Sequence, residues 1–371
     1  MSTTRGLEGI VATTSSVSSI IESVLTYQGY DIDDLADNAS FEEVIYLLWN
    51  GRLPNSTELS QFTQELADHA EIPQEIIDQM KAYPIDKVHP MAALRSAISS
   101  LALFDEQADV MEEEANKLKA VKIQAQIPTI VTAFSRIRDG LEPVSPRSDL
   151  GFAANFLYML TGNEPDEIAV NAFNKALVLH ADHELNASTF TARVCVATLS
   201  DVYSGITAAI GALKGPLHGG ANEAVMKMLM EIEEVENVEP YIRKALDNKE
   251  KIMGFGHRVY KDGDPRAKHL KEMSKRLTEI TGETKWYEMS TKINEMVTGE
   301  KGLLPNVDFY SASVYHSLGI KHDLFTPIFA VSRASGWLAH ILEQYSNNRL
   351  IRPRAEYVGP SKQTYIPIEQ R

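Results

Sequence analysis

Apolar residues recur at spacings of three and four along most of this chain, which is the period of amphipathic α-helices. One helix is predicted after Ser40, because Ser40 and Glu43 form the capping box typical of a helix start. Gly51 and the following Pro54 mark the end of that helix. A second helix is predicted from Pro90, since proline is favoured in a first helical turn.

The middle of the chain predicts helices with wide apolar faces. In residues 166–180, six residues share one face and are expected to be buried: Ile168, Ala172, Phe173, Ala176, Leu177 and His180. Between Ala187 and Leu213, only Arg193 and Asp201 are charged. Helices of that composition are buried on nearly all sides, so this region is expected at the centre of the fold.

Strand patterns are confined to the ends of the chain, in residues 9–17, 25–32 and 357–368. The predicted class is therefore all-α with minor β elements near the termini. Between Pro216 and Asp323, glycine-rich loops separate strongly charged amphipathic segments. This change in composition predicts an inserted second domain.

Composition excludes several classes of protein. The chain has 371 residues, of which 44% are hydrophobic and 23% charged, as in ordinary globular proteins. Cys195 is the single cysteine, so no intramolecular disulfide or multi-cysteine zinc site can form, and a reducing cytoplasmic location is expected. The net charge of −15 disfavours a nucleic-acid or membrane partner. The sequence shows no convincing targeting signal and no apolar stretch long enough to span a membrane.

His218 is the first candidate for chemistry. It lies between Gly215-Pro216 and Gly219-Gly220, directly before a predicted helix. The start of a helix favours bound anions and disfavours protonation of a nearby imidazole, so a neutral histidine could donate a hydrogen bond to developing negative charge. The alternative is a glycine-rich turn that contains a histidine by chance.

The segment from Gly254 to Arg266 holds a second group, in which His257 is followed by Lys261, Asp264 and Arg266. Such a loop suits a substrate with carboxylate or phosphate groups, because arginine presents paired donors. The alternative is a solvated basic loop. The sequence has neither the phosphate-loop motif nor the dinucleotide-binding fingerprint.

Three further residues carry charge in unusual places. Asp308 follows Pro305 and Asn306 at a predicted helix start, where it is either a helix cap or a carboxylate base with an altered pKa. Arg333 is a lone cation in an apolar helix, and a buried guanidinium needs an anionic partner. Arg352 lies near the chain end and could simply belong to a solvated tail.

His180, Asp182 and His183 lie close together in the sequence and leave a metal site open as an alternative. The HExxH motif is absent, and no third ligand follows from the spacing. His180 falls on the apolar face and is better interpreted as a core histidine, whereas His183 lies at the helix end.

Taken together and in this order, six segments resemble the signature motifs of citrate synthase: HADHELNASTFTAR, GPLHGGANE, GFGHRVYKDGDPRA, PNVDFYSASVYHSLG, FAVSR and IRPRAEY. The resemblance extends over nearly the whole chain. The length is similar to that of the short prokaryotic form, which is typically a homodimer.

The resemblance implies an acyltransferase that joins acetyl-CoA to oxaloacetate and hydrolyses the citryl thioester, at the entry to the tricarboxylic acid cycle. By motif, Asp308 would remove a proton from the acetyl methyl group, His218 would donate a hydrogen bond to the thioester oxygen, and His257 would polarise the oxaloacetate carbonyl. Residues that would hold the oxaloacetate carboxylates are His183, Arg266, Arg333 and, from the partner subunit, Arg352. No cofactor or metal is implied.

The same resemblance implies two helical domains. Residues 1–219 and 320–371 would form the large domain, and residues 220–319 a small domain that closes over the active site. CoA would lie along the loop that contains Gly254, Phe255, Gly256 and Lys261.

Three other functions stay open at this point. A 2-methylcitrate synthase, which uses propionyl-CoA, resembles citrate synthase at all these motifs, and one methylene changes selectivity by only about 1–3 kcal/mol. A metal-dependent hydrolase and a non-catalytic helical dimer are the others. Neither of these two explains the settings of His218, His257, Asp308 and Arg333.

Overall fold

A computed structural model describes residues 5–7, 9–257, 259–260 and 262–371 of the chain. The predicted all-α class is confirmed. The described residues form sixteen α-helices: α1 (Ile32–Asn38), α2 (Phe41–Asn50), α3 (Ser56–Asp68), α4 (Gln74–Lys81), α5 (Pro90–Leu101), α6 (Glu113–Arg138), α7 (Phe152–Thr161), α8 (Glu167–His180), α9 (Ala187–Val196), α10 (Val202–Leu213), α11 (Ala221–Ile232), α12 (Val238–Asp247), α13 (Pro265–Thr281), α14 (Lys285–Lys301), α15 (Val307–Ser317) and α16 (Phe325–Ser346).

The helix ends agree with the sequence signals. Ser40 and Glu43 form the predicted capping box of α2, and Gly51 ends that helix in the left-handed conformation. Pro90 is the first residue of α5. In α8 the predicted face is buried except at Ile168, whose side chain is 38% exposed in the first turn. The prediction for Ile168 was wrong because helical periodicity gives a face but not how far the neighbouring elements extend along it.

A small antiparallel sheet lies near the N-terminus, with strands β1 (Ser18–Ile21), β2 (Val24–Tyr27) and β3 (Tyr30–Asp31) in sequential order. The strand expected in residues 9–17 therefore starts later, at Ser18. The sheet braces the segment after α8: the N–H of Asp182 donates to the Tyr27 hydroxyl (3.2 Å), and the N–H of Ile20 donates to the Glu184 carboxylate (2.6 Å).

The expected β element in the C-terminal tail is wrong. Residues 348–367 form no strand or helix, and every side chain from Arg352 onward is exposed. The alternation of polar and apolar residues shows which residues suit a strand, but a strand also needs a partner edge. No strand of the described chain pairs with the tail.

Helix α16 is the centre of the fold and packs against α2, α6, α8, α9 and α10. Most of its residues are buried, including Arg333 and Trp337. Gly336 lets the segment after α8 approach closely, because a Cβ there would overlap the Asp182 carboxylate and lie 2.5 Å from the Ala181 carbonyl oxygen. The middle of the chain, α9 and α10, packs directly on this helix, as predicted.

Helices α11 to α15 lie within residues 220–319. In this group α13 and α11 pack on α15, and α12 packs on α14. The group also contacts α1, α8 and α16. Its closure as a small domain stays a prediction.

Among the described residues, no helix combines the length and apolarity needed to cross a membrane.

Substituting Gly336→Ala is expected to destabilise the protein by about 1–3 kcal/mol, because an added methyl group would overpack a site closed by backbone and a buried carboxylate. The matched control is Gly299→Ala in α14, where a Cβ would meet nothing within 4 Å. That control should be neutral or stabilising by up to about 1 kcal/mol, since alanine favours helices. Urea unfolding of both variants measures the two effects, and equal stabilities would contradict this account of α16 packing.

Candidate active site

The turn between α10 and α11 holds His218 in place. The N–H groups of His218 and Gly219 both donate to the Gly215 carbonyl, at 2.9 and 3.1 Å. A Cβ on Gly219 would overlap the Leu213 carbonyl oxygen, so only glycine fits there. Gly220 then adopts a positive φ of 84° at the start of α11. The glycines of this motif therefore build the turn that holds His218.

Hydrogen bonds to Ser188 determine which nitrogen of His218 carries the proton. The N–H of Ser188 donates to His218 Nε2 (3.2 Å), and the Ser188 hydroxyl lies 2.7 Å from the same nitrogen. Trp337 Nε1 donates to that hydroxyl (3.0 Å). The Ser188 hydroxyl also contacts Asn186 Oδ1 (2.8 Å), so its one proton has two possible acceptors. A nitrogen that accepts from a backbone N–H is unprotonated, and on this ground we assign the proton of neutral His218 to Nδ1. Burial, with a smaller contribution from the Arg333 charge, lowers the pKa of His218 to about 4.

His257 has the opposite tautomer. Its Nδ1 accepts from the N–H groups of Val259 (3.0 Å) and Tyr260 (3.2 Å), which leaves the proton on Nε2. Burial, aided by the charge of Arg266, lowers the pKa of His257 below its ordinary value. Both histidines are thus neutral hydrogen-bond donors near neutral pH.

His183 lies just after α8 and is 9% exposed. Its ring centroid is 5.1 Å from that of His257, although the two residues are far apart in the sequence. His183 Nε2 is 3.1 Å from the Tyr260 hydroxyl oxygen. Burial lowers the pKa of His183 well below its ordinary value, and the nearby charges of Arg266 and Arg333 lower it further.

Asp308 lies in the first turn of α15 but is not its cap. Asn306 is the cap, and its side chain accepts the N–H of Asp308 (3.0 Å). Burial raises the pKa of the Asp308 carboxyl to about 6, against the smaller opposing effects of Arg266 and Arg333. The carboxyl is therefore a stronger base than an ordinary aspartate, which favours the second of the two sequence interpretations.

Arg266 is buried and held by Asp264, the cap of α13. Asp264 accepts from Arg266 Nε (2.9 Å) and from a terminal guanidinium nitrogen (2.8 Å). The same carboxylate accepts the N–H of Val307 (3.0 Å), next to Asp308. This single carboxylate thus links the guanidinium to the helix start that carries the base.

Arg333 is 2% exposed in α16. Its Nε donates to the His180 carbonyl (2.8 Å), and its guanidinium lies over the Phe329 ring, 4.6 Å from the centroid. Among the residues that the structure describes, no carboxylate oxygen lies within 4.0 Å of it. Burial lowers the pKa of Arg333 to about 10, so the group remains a cation at neutral pH. A buried cation without an ion-paired carboxylate is suited to an anionic ligand.

The loop with Gly254, Phe255 and Gly256 runs beside the residues that precede Asp308. The N–H of Gly256 donates to the Leu304 carbonyl and that of Asn306 to the Gly254 carbonyl, each at 2.9 Å. A Cβ on Gly254 would lie 2.8 Å from atoms of Phe309 and Val225. The glycines therefore permit close contact between this loop and the start of α15. Lys261, also predicted here, lies outside the described residues.

His180, Asp182 and His183 do not share a common ligand position. His180 Nδ1 donates to the Ala176 carbonyl (2.7 Å), Asp182 pairs with His340 (3.3 Å), and His183 contacts Tyr260. No three metal-ligating side chains of the described residues cluster as a metal site.

Arg352 lies apart from the other predicted residues. It lines a groove of about 820 Å³ beside the end of α16 and the N-terminal segment. None of the other candidates for oxaloacetate binding or catalysis lines that groove.

Sequence reasoning missed Ser188, Tyr260 and Trp337 as neighbours of the candidate histidines. Asp264 was given no role from the sequence, although an aspartate directly before Pro265 is a recognised signal for a helix cap. The other three had no local signal, because their contacts join segments far apart in sequence.

Comparison with known proteins shows which family this chain resembles in sequence and structure. The family model described as the C-terminal domain of citrate synthase matches residues 6–354. Citrate synthase 2 of Bacillus subtilis (strain 168) is 74% identical over 371 residues, covering 100% of both chains. The 2-methylcitrate synthase 1 of Corynebacterium glutamicum is 42% identical, covering 99% of this chain and 98% of its own.

A solved structure of citrate synthase from Thermoplasma acidophilum, in a ternary complex with carboxymethyl coenzyme A and oxaloacetate, superimposes with a TM-score of 0.93 at 36% identity. The match covers 99% of each chain.

The raised pKa of Asp308 predicts a pH-dependent cost to stability. A raised pKa means that the folded state prefers the protonated carboxyl, so this preference is lost as the pH rises through about 6. Asp308→Asn keeps the side chain neutral and should raise stability at about pH 8 by at most about 3 kcal/mol, with little gain near pH 4.

Thermal unfolding of wild type and variant at both pH values measures this effect. Asp86→Asn, which alters an exposed carboxyl, is the control and should leave the melting temperature unchanged. An Asp308→Asn gain that is the same at both pH values would contradict the assigned shift.

Proposed function

The chain belongs to the citrate synthase family and is an acyltransferase, and we propose that His218, His257 and Asp308 carry out its reaction. The reaction condenses acetyl-CoA with oxaloacetate and then hydrolyses the citryl thioester to citrate and CoA. The observation that carries the assignment is the electrostatic arrangement: a carboxylate with a raised pKa, two neutral histidines of opposite tautomer and two buried guanidinium groups.

In the first step, the Asp308 carboxylate takes a proton from the methyl group of acetyl-CoA. A thioester is a weak carbon acid, so the enolate oxygen must be stabilised as its charge develops. The Nδ1–H of His218 supplies that hydrogen bond. His218 suits the role because Ser188 occupies its other nitrogen and burial keeps it neutral.

In the second step, the methylene carbon of the enolate attacks the carbonyl carbon of oxaloacetate. A carbon–carbon bond forms as the carbonyl π bond breaks, and the resulting alkoxide oxygen takes the proton from Nε2 of His257. The proton that Asp308 removed from the methyl group is then returned to His257, which restores both groups. The two backbone N–H groups on Nδ1 of His257 support this tautomer. Water then cleaves the thioester, and CoA leaves as the thiol.

Oxaloacetate is a dianion, and its carboxylates need cationic or hydrogen-bonding partners. We assign these to His183, Arg266 and Arg333, with Arg352 supplied by the partner subunit of a homodimer. Arg333 is buried and has no ion-paired carboxylate among the described residues, which supports its assignment to a carboxylate of oxaloacetate. Arg352 lines a groove that none of the other assigned groups lines, which is consistent with its action in a second subunit.

The CoA moiety is assigned to the loop of Gly254, Phe255, Gly256 and Lys261. Contact between residues 254–256 and the start of α15 supports this, because the thioester must reach Asp308. The proposed reaction uses the two substrates alone, without a cofactor.

Residues 220–319 are proposed to close as a small domain over the substrates. His257, Arg266 and Asp308 belong to this segment, whereas His183, His218 and Arg333 belong to the rest of the chain. Closure would complete the site and exclude water before the first step. The single cysteine supports a cytoplasmic location, and the net charge of −15 argues against nucleic-acid or membrane partners.

Release of CoA thiol by metal-free protein tests the proposed reaction. With oxaloacetate present, acetyl-CoA is expected to give a clearly higher kcat/KM than propionyl-CoA, since the chain is far more similar to the Bacillus citrate synthase than to a 2-methylcitrate synthase. A preference for propionyl-CoA would move the assignment to methylcitrate formation. No release with either thioester would contradict the proposed function.

Mixing two impaired variants tests the shared site. Asp308→Ala should abolish condensation while it leaves oxaloacetate binding largely intact, and Arg352→Ala should weaken the use of oxaloacetate. When the two are unfolded, mixed and refolded together, hybrid dimers contain one site with both residues intact. Random pairing should restore about a quarter of wild-type activity.

Each variant refolded alone is the control and should stay at its own low activity. Absence of recovery in the mixture, with wild type refolding normally, would contradict the action of Arg352 across the interface.

A further inference from the structure

Tyr260 contacts two of the proposed site histidines and has no role in the mechanism above. It lies in the loop between α12 and α13, only 3% exposed, even though its neighbour Val259 is 48% exposed. Its ring centroid is 4.6 Å from that of His257 and 5.4 Å from that of His183. A buried tyrosine needs a hydrogen-bond partner for its hydroxyl.

Two different parts of Tyr260 make the two polar contacts. Its backbone N–H donates to Nδ1 of His257 (3.2 Å), whereas its side-chain hydroxyl lies 3.1 Å from Nε2 of His183. His183 follows α8, so this contact joins the loop before α13 to the centre of the large helical array. Substitution of the side chain can therefore disturb His183 and leave the backbone contact to His257 in place.

We propose that Tyr260 is a positioning residue for oxaloacetate, whose hydroxyl fixes the orientation of the His183 ring. This inference rests on the proposed function, in which His183 holds a carboxylate of oxaloacetate. The His183 ring also makes a T-shaped contact with the His257 ring, but such a contact restrains the orientation of a ring only weakly. The contact with the Tyr260 hydroxyl is a directional restraint on Nε2, in addition to the hydrogen bond between the ring and its own backbone.

The Tyr260→Phe variant removes that bond and keeps the aromatic ring. His183 Nε2 then loses its partner in a buried position, between the charges of Arg266 and Arg333, and the ring can turn. Oxaloacetate should bind less tightly, with a rise in its KM of about tenfold, which corresponds to the loss of one buried hydrogen bond. The KM for acetyl-CoA and kcat should change little, because the tautomers of His218 and His257 do not depend on the Tyr260 hydroxyl.

The matched control is Tyr203→Phe. Tyr203 is also buried, and its hydroxyl donates to Asp105 (2.7 Å), away from the site. This variant loses a buried hydroxyl of the same kind, so it reports any general effect of such a loss on folding. Its KM for oxaloacetate should equal that of wild type.

The experiment compares wild type, Tyr260→Phe and Tyr203→Phe by steady-state kinetics, by calorimetric titration with oxaloacetate and by thermal unfolding. A selective rise in the oxaloacetate KM and dissociation constant of Tyr260→Phe, with both variants still folded at the assay temperature, supports the inference. An unchanged or lowered KM in Tyr260→Phe, or an equal rise in Tyr203→Phe, overturns it. Absence of CoA release and of oxaloacetate binding in the wild type overturns instead the proposed function.

Discussion

Burial of charge inside a helical array is the constraint on which the rest of this site depends. Arg266 and Arg333 are both about 2% exposed, and the transfer of an ion from water into a protein interior costs several kcal/mol. Arg266 is compensated by Asp264, whereas Arg333 has a carbonyl and an aromatic ring as its described partners. The fold therefore keeps one buried guanidinium, that of Arg333, without a carboxylate partner among the described residues, which suits an anionic substrate.

The same burial determines the protonation of the reactive groups. It keeps His183, His218 and His257 neutral by lowering their pKa values, and it raises the pKa of Asp308 to about 6. The charges of Arg266 and Arg333 lower the pKa values of the histidines near them, as burial does. They also lower the pKa of Asp308, against the larger effect of burial. Hydrogen bonds from Ser188 and from the loop after His257 then select the tautomers. One physical cause, desolvation, thus prepares a base and two neutral donors without a metal ligand set among the described residues.

Much of this could be predicted from the sequence, and the remainder has identifiable physical reasons. The ends of α2 and α5, the all-α class and the motif residues around His218, His257 and Asp308 follow from local signals: caps, helical periodicity and glycine placement. The exposure of Ile168 and the unpaired C-terminal tail depend on which elements lie alongside, and local pattern does not contain that information. The same holds for the tautomers, because the contact from Ser188 to His218 and that from Tyr260 to His183 join distant segments. Motifs therefore indicated the candidate residues, and the packing shows in which chemical state they are held.

His218 and His257 are held neutral with their protons on different nitrogens, and the proposed reaction depends on this difference. Nitrogen-15 NMR of protein labelled at its ten histidines measures this directly, with His218→Gln and His257→Gln variants to assign the two signals. At about pH 8, we predict two neutral imidazoles, with the proton on Nδ1 of His218 and on Nε2 of His257. A doubly protonated ring at either position, or the same tautomer at both, would contradict it.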